Sequence, residues 1–205
     1  MKKAIIAGAL LLIGSALISS CGDLFSYGVK FTEEKEVASL EAILEKHIDP
    51  EDEIIQILFK KADNDPSNFG FNKGKIELWC IDQENRKQQI KYTIDIKKNE
   101  LYINEWDKEN RFPVNKQKAY SNIKASDLGC DRIAEFVNKA IETMTADDLK
   151  ANGLGSYIIY PNSDPDKVKH SFAIERITGS GQRTTEYVEY KFEANLKTGE
   201  LKSKK

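Results

Sequence analysis

The side chains in this 205-residue chain whose type or spacing could do chemistry include two histidines, two internal cysteines and several adjacent acidic residues. Neither His47 nor His170 has a second ligand at metal-binding spacing, so both read as structural or exposed residues and no metal site is expected. Glu33-Glu34, Asp52-Glu53 and Asp147-Asp148 are the carboxylate pairs. Two carboxylates facing each other across a cleft can hydrolyse a glycoside. Each of these pairs instead falls in the first turn of an expected helix, where capping and the helix dipole account for acids. Asn162 to Asp166 lacks the spacing of a calcium loop. Gly179-Ser180-Gly181 lacks the Lys-Ser/Thr that would complete a phosphate loop. Cys80 and Cys130 sit in neither a Cys-x-x-Cys nor a local Cys-His arrangement. The expectation is a chain that is not an enzyme and carries no cofactor. A hydrolase whose carboxylates converge only in three dimensions is the rival.

Binding chemistry has more to work with. Phe69 and Phe71 lie in a stretch dense in turn formers, Asn64 to Gly74, of the composition functional loops often have; the alternative is that both rings pin that loop to the core. Trp106 opens a polar, irregular segment, and Tyr187 lies opposite its strand's main apolar set. These four residues form the candidate binding surface. Trp79 also lies opposite its strand's apolar set and is read as core. The net charge of −2, with both signs interspersed, leaves no clustered basic face for nucleic acid.

The elements that must position these residues follow from periodicity. Thr32 should cap a helix whose apolar stripe is Val37, Leu40, Ile43, Leu44 and His47. Asp49-Pro50 then reads as the start of a second helix carrying Ile54, Ile55, Leu58 and Phe59. Lys75 to Asp82 and Ile90 to Ile96 alternate as strands, and Lys97-Lys98-Asn99 turns the chain into Leu101. After a connector, Ile133, Phe136, Val137, Ala140, Ile141 and Met144 mark another helix, with a short restart at Thr145 ended by Gly153 and Gly155. Strands are expected at 157–160, 168–177 and 188–194, with a hairpin tip at Gly179 to Gly181 and a turn at Thr198-Gly199. The halves match in order. Asn99-Glu100-Leu101 answers Gly199-Glu200-Leu201, and Lys46-His47-Ile48 answers Lys139-Ala140-Ile141. The fold class is α+β in two layers, with helices packed on an antiparallel β-meander as a tandem α-β-β-β repeat.

The first 21 residues have a different character. Lys2 and Lys3 precede an apolar run from Ala4 to Ile18, short for a stable membrane span and of signal-peptide length. Ile18-Ser19-Ser20-Cys21 then places an aliphatic residue, two small residues and a cysteine in succession. This segment resembles bacterial lipoprotein precursors. The resemblance implies diacylglycerol on the Cys21 sulfur, cleavage between Ser20 and Cys21, and anchorage in a membrane of the bacterial cell envelope; where there are two membranes the outer is expected over the inner, and Gly22 and Asp23 leave that choice open. Two or three acyl chains anchor stably, at about 0.8 kcal/mol per buried CH₂.

The expected division is a signal peptide at 1–20, a tether at 21–31, a first α+β half at 32–106, a connector at 107–125 and a second half at 126–205. In an oxidising compartment Cys80 and Cys130 have two fates, a bridge or two buried free thiols. The last segment, an alternating strand, a Thr-Gly-Glu turn and a short strand, resembles the end of PepSY-type modules, extracytoplasmic binding or inhibitory domains. The function expected is a non-catalytic binding or scaffolding module for an envelope protein partner, held to the membrane through Cys21. The alternative is a carrier or receptor for a small apolar or glycan ligand.

Overall fold

The computed structural model describes residues 29–60, 75–96, 98–114, 118–180 and 185–204. Helix α1 (Glu34–His47) precedes strands β1 (Ile54–Lys60), β2 (Lys75–Ile81), β3 (Gln88–Asp95) and β4 (Glu100–Tyr102). Next come a short helix α2 (Glu105–Glu109) and a two-residue strand β5 (Phe112–Pro113). Helix α3 (Ile133–Ala146) then leads into β6 (Gly153–Tyr160), β7 (Lys169–Ser180), β8 (Thr185–Asn195) and β9 (Leu201–Lys204). All strand pairs are antiparallel, in the order β4-β3-β2-β1-β6-β7-β8-β9, with β5 added to β3. The architecture is thus α+β, helices over an open antiparallel meander.

The two four-stranded meanders meet along β1 and β6, where Leu58 pairs with Ile158 and Phe59 with Tyr157. The strand order is a palindrome about this seam. Each first strand begins the same twenty positions after its helix begins, Glu34 to Ile54 and Ile133 to Gly153. Both carry an irregularity near their start, between Ile54 and Gln56 and between Leu154 and Ser156, an offset of 100 residues. The pairs Ile94–Leu101 and Ala194–Leu201 also correspond at an offset of 100 residues. Asn99 and Gly199, with φ of 56° and 64°, supply the left-handed residue each final turn requires. The second proposed match does not hold: Lys46 stands in the last turn of α1, whereas Lys139 lies in the middle of α3.

One sheet face is covered. Val37, Leu40 and Leu44 of α1 and Phe136, Val137, Ala140 and Met144 of α3 share one core with Ile57, Phe59, Ile76, Leu78, Ile94, Tyr157, Ile159, Phe172, Phe192 and Ala194. Val29 and Phe31, just before α1, are also buried, and the Phe31 ring lies 5.5 Å from Phe59 and 5.2 Å from Tyr157. Asn138 of α3 donates to the Thr32 carbonyl, tying this entry segment to the second helix.

Several local readings are corrected. The second helix expected after Pro50 is a turn followed by β1. The Asp49 carboxylate accepts from the Glu51 amide, and the Asp52 amide bonds back to the Asp49 carbonyl, so the cap-like residues close a turn. Ile-Ile-Gln-Ile-Leu-Phe is a short apolar run with no period to separate helix from strand, and pairing on both sides makes it a strand. The restart at Thr145 is absent: α3 ends at Ala146, and Asp148 takes a φ of 58°. Gly153 and Gly155 belong to β6, with Gly155 at its bulge. Thr32 does not cap α1. The N-cap is Glu33, and the Glu36 carboxylate reaches back to the Lys30 amide.

Candidate functional site

The face of the sheet turned away from α1 and α3 carries Gln56 and Leu58 of β1, Glu77 and Trp79 of β2, and Gln89, Lys91 and Thr93 of β3. Ile158, Ala173, Lys191 and Glu193 continue it across the second half. Over its first half lies the segment 104–113, a strap made of α2 and β5. The strap follows from sequence: after Tyr102 the chain loses strand alternation and runs Asn-Glu-Trp-Asp-Lys-Glu, five residues of which make one short helix. Phe112-Pro113 then adds to the free edge of β3, opposite Gln89 and Gln88. A proline is tolerated there because an edge strand needs no inward N–H from it.

Charge holds the strap down. Lys91 Nζ lies 3.2 Å from Asp107 Oδ1 and 3.7 Å from Glu77 Oε1. Asp107 is only 2% exposed. Its Oδ1 has the ammonium as neighbour without a well-directed hydrogen bond, so the contact is chiefly an ion pair. Its Oδ2 accepts from Asn104 Nδ2 at 3.1 Å, and Asn104 is also 3.2 Å from Thr93 Oγ1. Arg111 closes the far end, with Nε 3.1 Å from Asp82 Oδ2 and a guanidinium N–H given to the Asp107 carbonyl. Gln89 Nε2 donates to the Pro113 carbonyl at 3.1 Å.

Aromatic rings run alongside. Trp79 packs 5.1 Å from Phe112, which packs 5.7 Å from Trp106. The Lys91 ammonium stands 5.6 Å from the Trp79 ring, and Trp79 Nε1 donates to Glu77 at 3.3 Å. Trp79 is therefore a half-buried residue on the face opposite the helices, not a member of the core between the layers. Trp106 is 59% exposed at the outer end of the row. As an arrangement it can offer a rigid aromatic edge to a partner. The ions beneath it are used internally.

Of the other candidate residues, Tyr187 is 51% exposed on β8. It is not brought together with Trp106, since β3 and β8 are five strand spacings apart, roughly 24 Å. Phe69, Phe71 and Cys21 lie outside the described residues. Sequence reading missed Lys91, Asp107, Asn104 and Phe112 as a group. The available signal was the charged residues Glu77 and Lys91 on the non-apolar sides of two adjacent strands.

The titratable groups most displaced from their usual behaviour lie inside. His170, on β7, is fully buried. Its Nε2 is 2.9 Å from the Leu128 carbonyl, which can only accept, so Nε2 carries the proton and Nδ1 accepts from the Tyr157 hydroxyl at 2.7 Å. Burial pushes the imidazole pKa down to about 4 and that of the Tyr157 phenol well up. His47 is half-buried, 3.0 Å from Asn99 Oδ1. Cys80 and Cys130 are free thiols and no bridge joins them. Both are buried, which pushes Cys130 up to about 12 and raises Cys80 as well.

Among the described residues no three His, Cys, Asp or Glu side chains converge as a metal site. Among the same residues no helix is long and apolar enough to cross a membrane. A shallow depression of about 330 Å³, lined by Ile141, Thr145, Leu149 and Ala151, lies at the end of α3. No family model matches the chain, and no curated protein and no solved structure was found similar to it.

Proposed function

We propose that the mature chain is a lipid-anchored, extracytoplasmic binding or scaffolding module that holds an envelope protein partner beside a membrane through acylated Cys21. The observation that carries the binding part is the second sheet face. Helices α1 and α3 pack on the opposite side, and this face presents a mixed polar and aromatic surface with Trp106 of the strap at one end and Tyr187 at the other. Such mixed surfaces with exposed aromatic rings suit protein recognition. The displaced titratable groups are enclosed in the core, which accords with a structural role for them. Anchorage is supported by the Ile18-Ser19-Ser20-Cys21 segment. The test is affinity capture of the tagged, acylated protein from detergent-solubilised envelopes against a Cys21→Ser control. A partner recovered with the acylated protein and lost or reduced with the control is expected. Equal recovery with both, or no partner at all, would refute the proposal.

A further inference from the structure

Strands β7 and β8 outrun their neighbours. Strand β6 pairs with β7 only as far as Glu175, and β9 pairs with β8 only from Lys191 to Ala194. Past those points residues 176–180 and 185–188 form a two-stranded ribbon, paired only with each other among the described residues. The Asn152 side chain braces its root, accepting from the Ile177 amide at 2.9 Å. Tyr187 and Val188 are 51% and 46% exposed, and among the described residues they are the only exposed large hydrophobics adjacent in sequence. As successive strand residues they point to opposite faces of the ribbon. A flat protein surface would cover one of those faces, whereas the interface of a bilayer takes up both. Arg176, Glu186, Glu189 and Lys191 flank the pair with both signs of charge.

The reach of the anchor brings a bilayer to this ribbon. Val29 is 1% exposed, and the Phe31 ring packs on Phe59 and Tyr157 on the helix side of the sheet. Seven residues, 22–28, separate Val29 from Cys21, and the eight steps between them span about 28 Å at most. Val188 lies two strands across from Tyr157 and four residues along from Phe192, roughly 17 Å away. The ribbon is thus well inside the distance the anchored cysteine allows. Trp106 belongs to the strap, on the other face of the sheet from the entry segment.

We infer that the β7–β8 ribbon rests on the bilayer that holds Cys21, with the free edge of β8 turned to it and Tyr187 and Val188 in the headgroup–acyl interface. The inference rests on the anchorage half of the reading above and leaves the Trp106 end for the protein partner. A tyrosine suits that depth, with an apolar ring and a hydroxyl that stays hydrated. Glu186, Glu189 and the unpaired peptide groups of the β8 edge remain in the wet headgroup layer. The mixed charges make the contact apolar, so it needs no anionic lipid and persists in high salt.

The probe is a spin label at Val188→Cys in the full mature acylated protein on phosphatidylcholine vesicles. Ser163→Cys is the control, exposed in the connection between β6 and β7 at the opposite end of these strands. Collisions with dissolved oxygen and with a water-soluble nickel chelate read the depth of each label. The label at 188 is expected about 5–10 Å into the headgroup–acyl boundary, and the label at 163 in water. If the acylated protein floats with the vesicles and its 188 label is as open to nickel as in the soluble Cys21→Ser protein, the inference is overturned and the anchored reading stands. A protein that carries no acyl group, or that does not float, would overturn both. Nickel protection at 188 in the soluble Cys21→Ser protein, rising with protein concentration, would overturn the inference in favour of a second copy as occupant.

Discussion

Acid should destabilise this protein through one imidazole. His170 is fully buried between the Leu128 carbonyl and the Tyr157 hydroxyl, and burial lowers its pKa from 6.5 to about 4. In the unfolded chain the ring takes a proton below its ordinary pKa, whereas the folded chain takes it only near pH 4. Unfolding is therefore favoured as pH falls between the two values, and the stability present above about 6.5 is lost on the way down. The gap corresponds to about 3 kcal/mol at its full extent and about 2 kcal/mol by pH 5. The perturbation is His170→Gln, whose amide retains a donor for Leu128 and an acceptor for Tyr157 but does not titrate. The assay is urea unfolding of both proteins from pH 7.5 down to pH 5, reading the difference in unfolding free energy. Carboxylates held low by partners, such as Glu135 beside Arg132 and Glu193 beside Lys204, are common to both proteins and cancel in that difference. The wild-type margin over the variant should shrink by about 2 kcal/mol across this range. Stability curves that stay parallel to within about 0.5 kcal/mol would show that the buried ring does not resist protonation, and the reasoning would fail.

Three further outcomes follow from packing and charge. Gly129 has a φ of +66°, and a Cβ there would stand 2.2 Å from Leu196 Cδ1, so Gly129→Ala should cost about 2 kcal/mol or more in denaturant unfolding. Lys91→Ala removes the cation facing Asp107 inside the strap and should cost about 3–5 kcal/mol, read by thermal unfolding, with Lys91→Arg recovering part of the loss. Cys80 and Cys130 are buried, and their raised pKa values disfavour the reactive thiolate. An aromatic disulfide reagent should leave both unmodified in the native protein and modify both in denaturant; rapid native labelling of either would contradict their placement.

The strap explains why the charged residues of β2 and β3 were hard to interpret in isolation. Glu77 and Lys91 look like ordinary solvated positions of half-buried strands, and in β8 the corresponding Lys191 is one. They become buried only because a segment from beyond β4 folds back and brings Asp107 over them. Ordinary-looking sequence around Trp106 thus acquires its role from where the chain goes after the meander ends.

What the sequence alone determined is local. Period-2 alternation in 90–96 and 188–194 marks β3 and β8, the 3.6-residue stripes mark α1 and α3, and Asn99 and Gly199 mark matching turns, because each signal lies within a few residues of the chain. Composition also sets residues 1–21 apart, with two lysines, an apolar run and a cysteine. What only the tertiary structure decided is non-local. The segment after Pro50 carries apolar residues on both sides, a pattern shared by a buried helix and a central strand. It became β1 because β2 and β6, the latter a hundred residues on, supply hydrogen bonds along both edges. The same seam joins the two meanders into one sheet, with α1 and α3 on one face and the strap over the first half of the other.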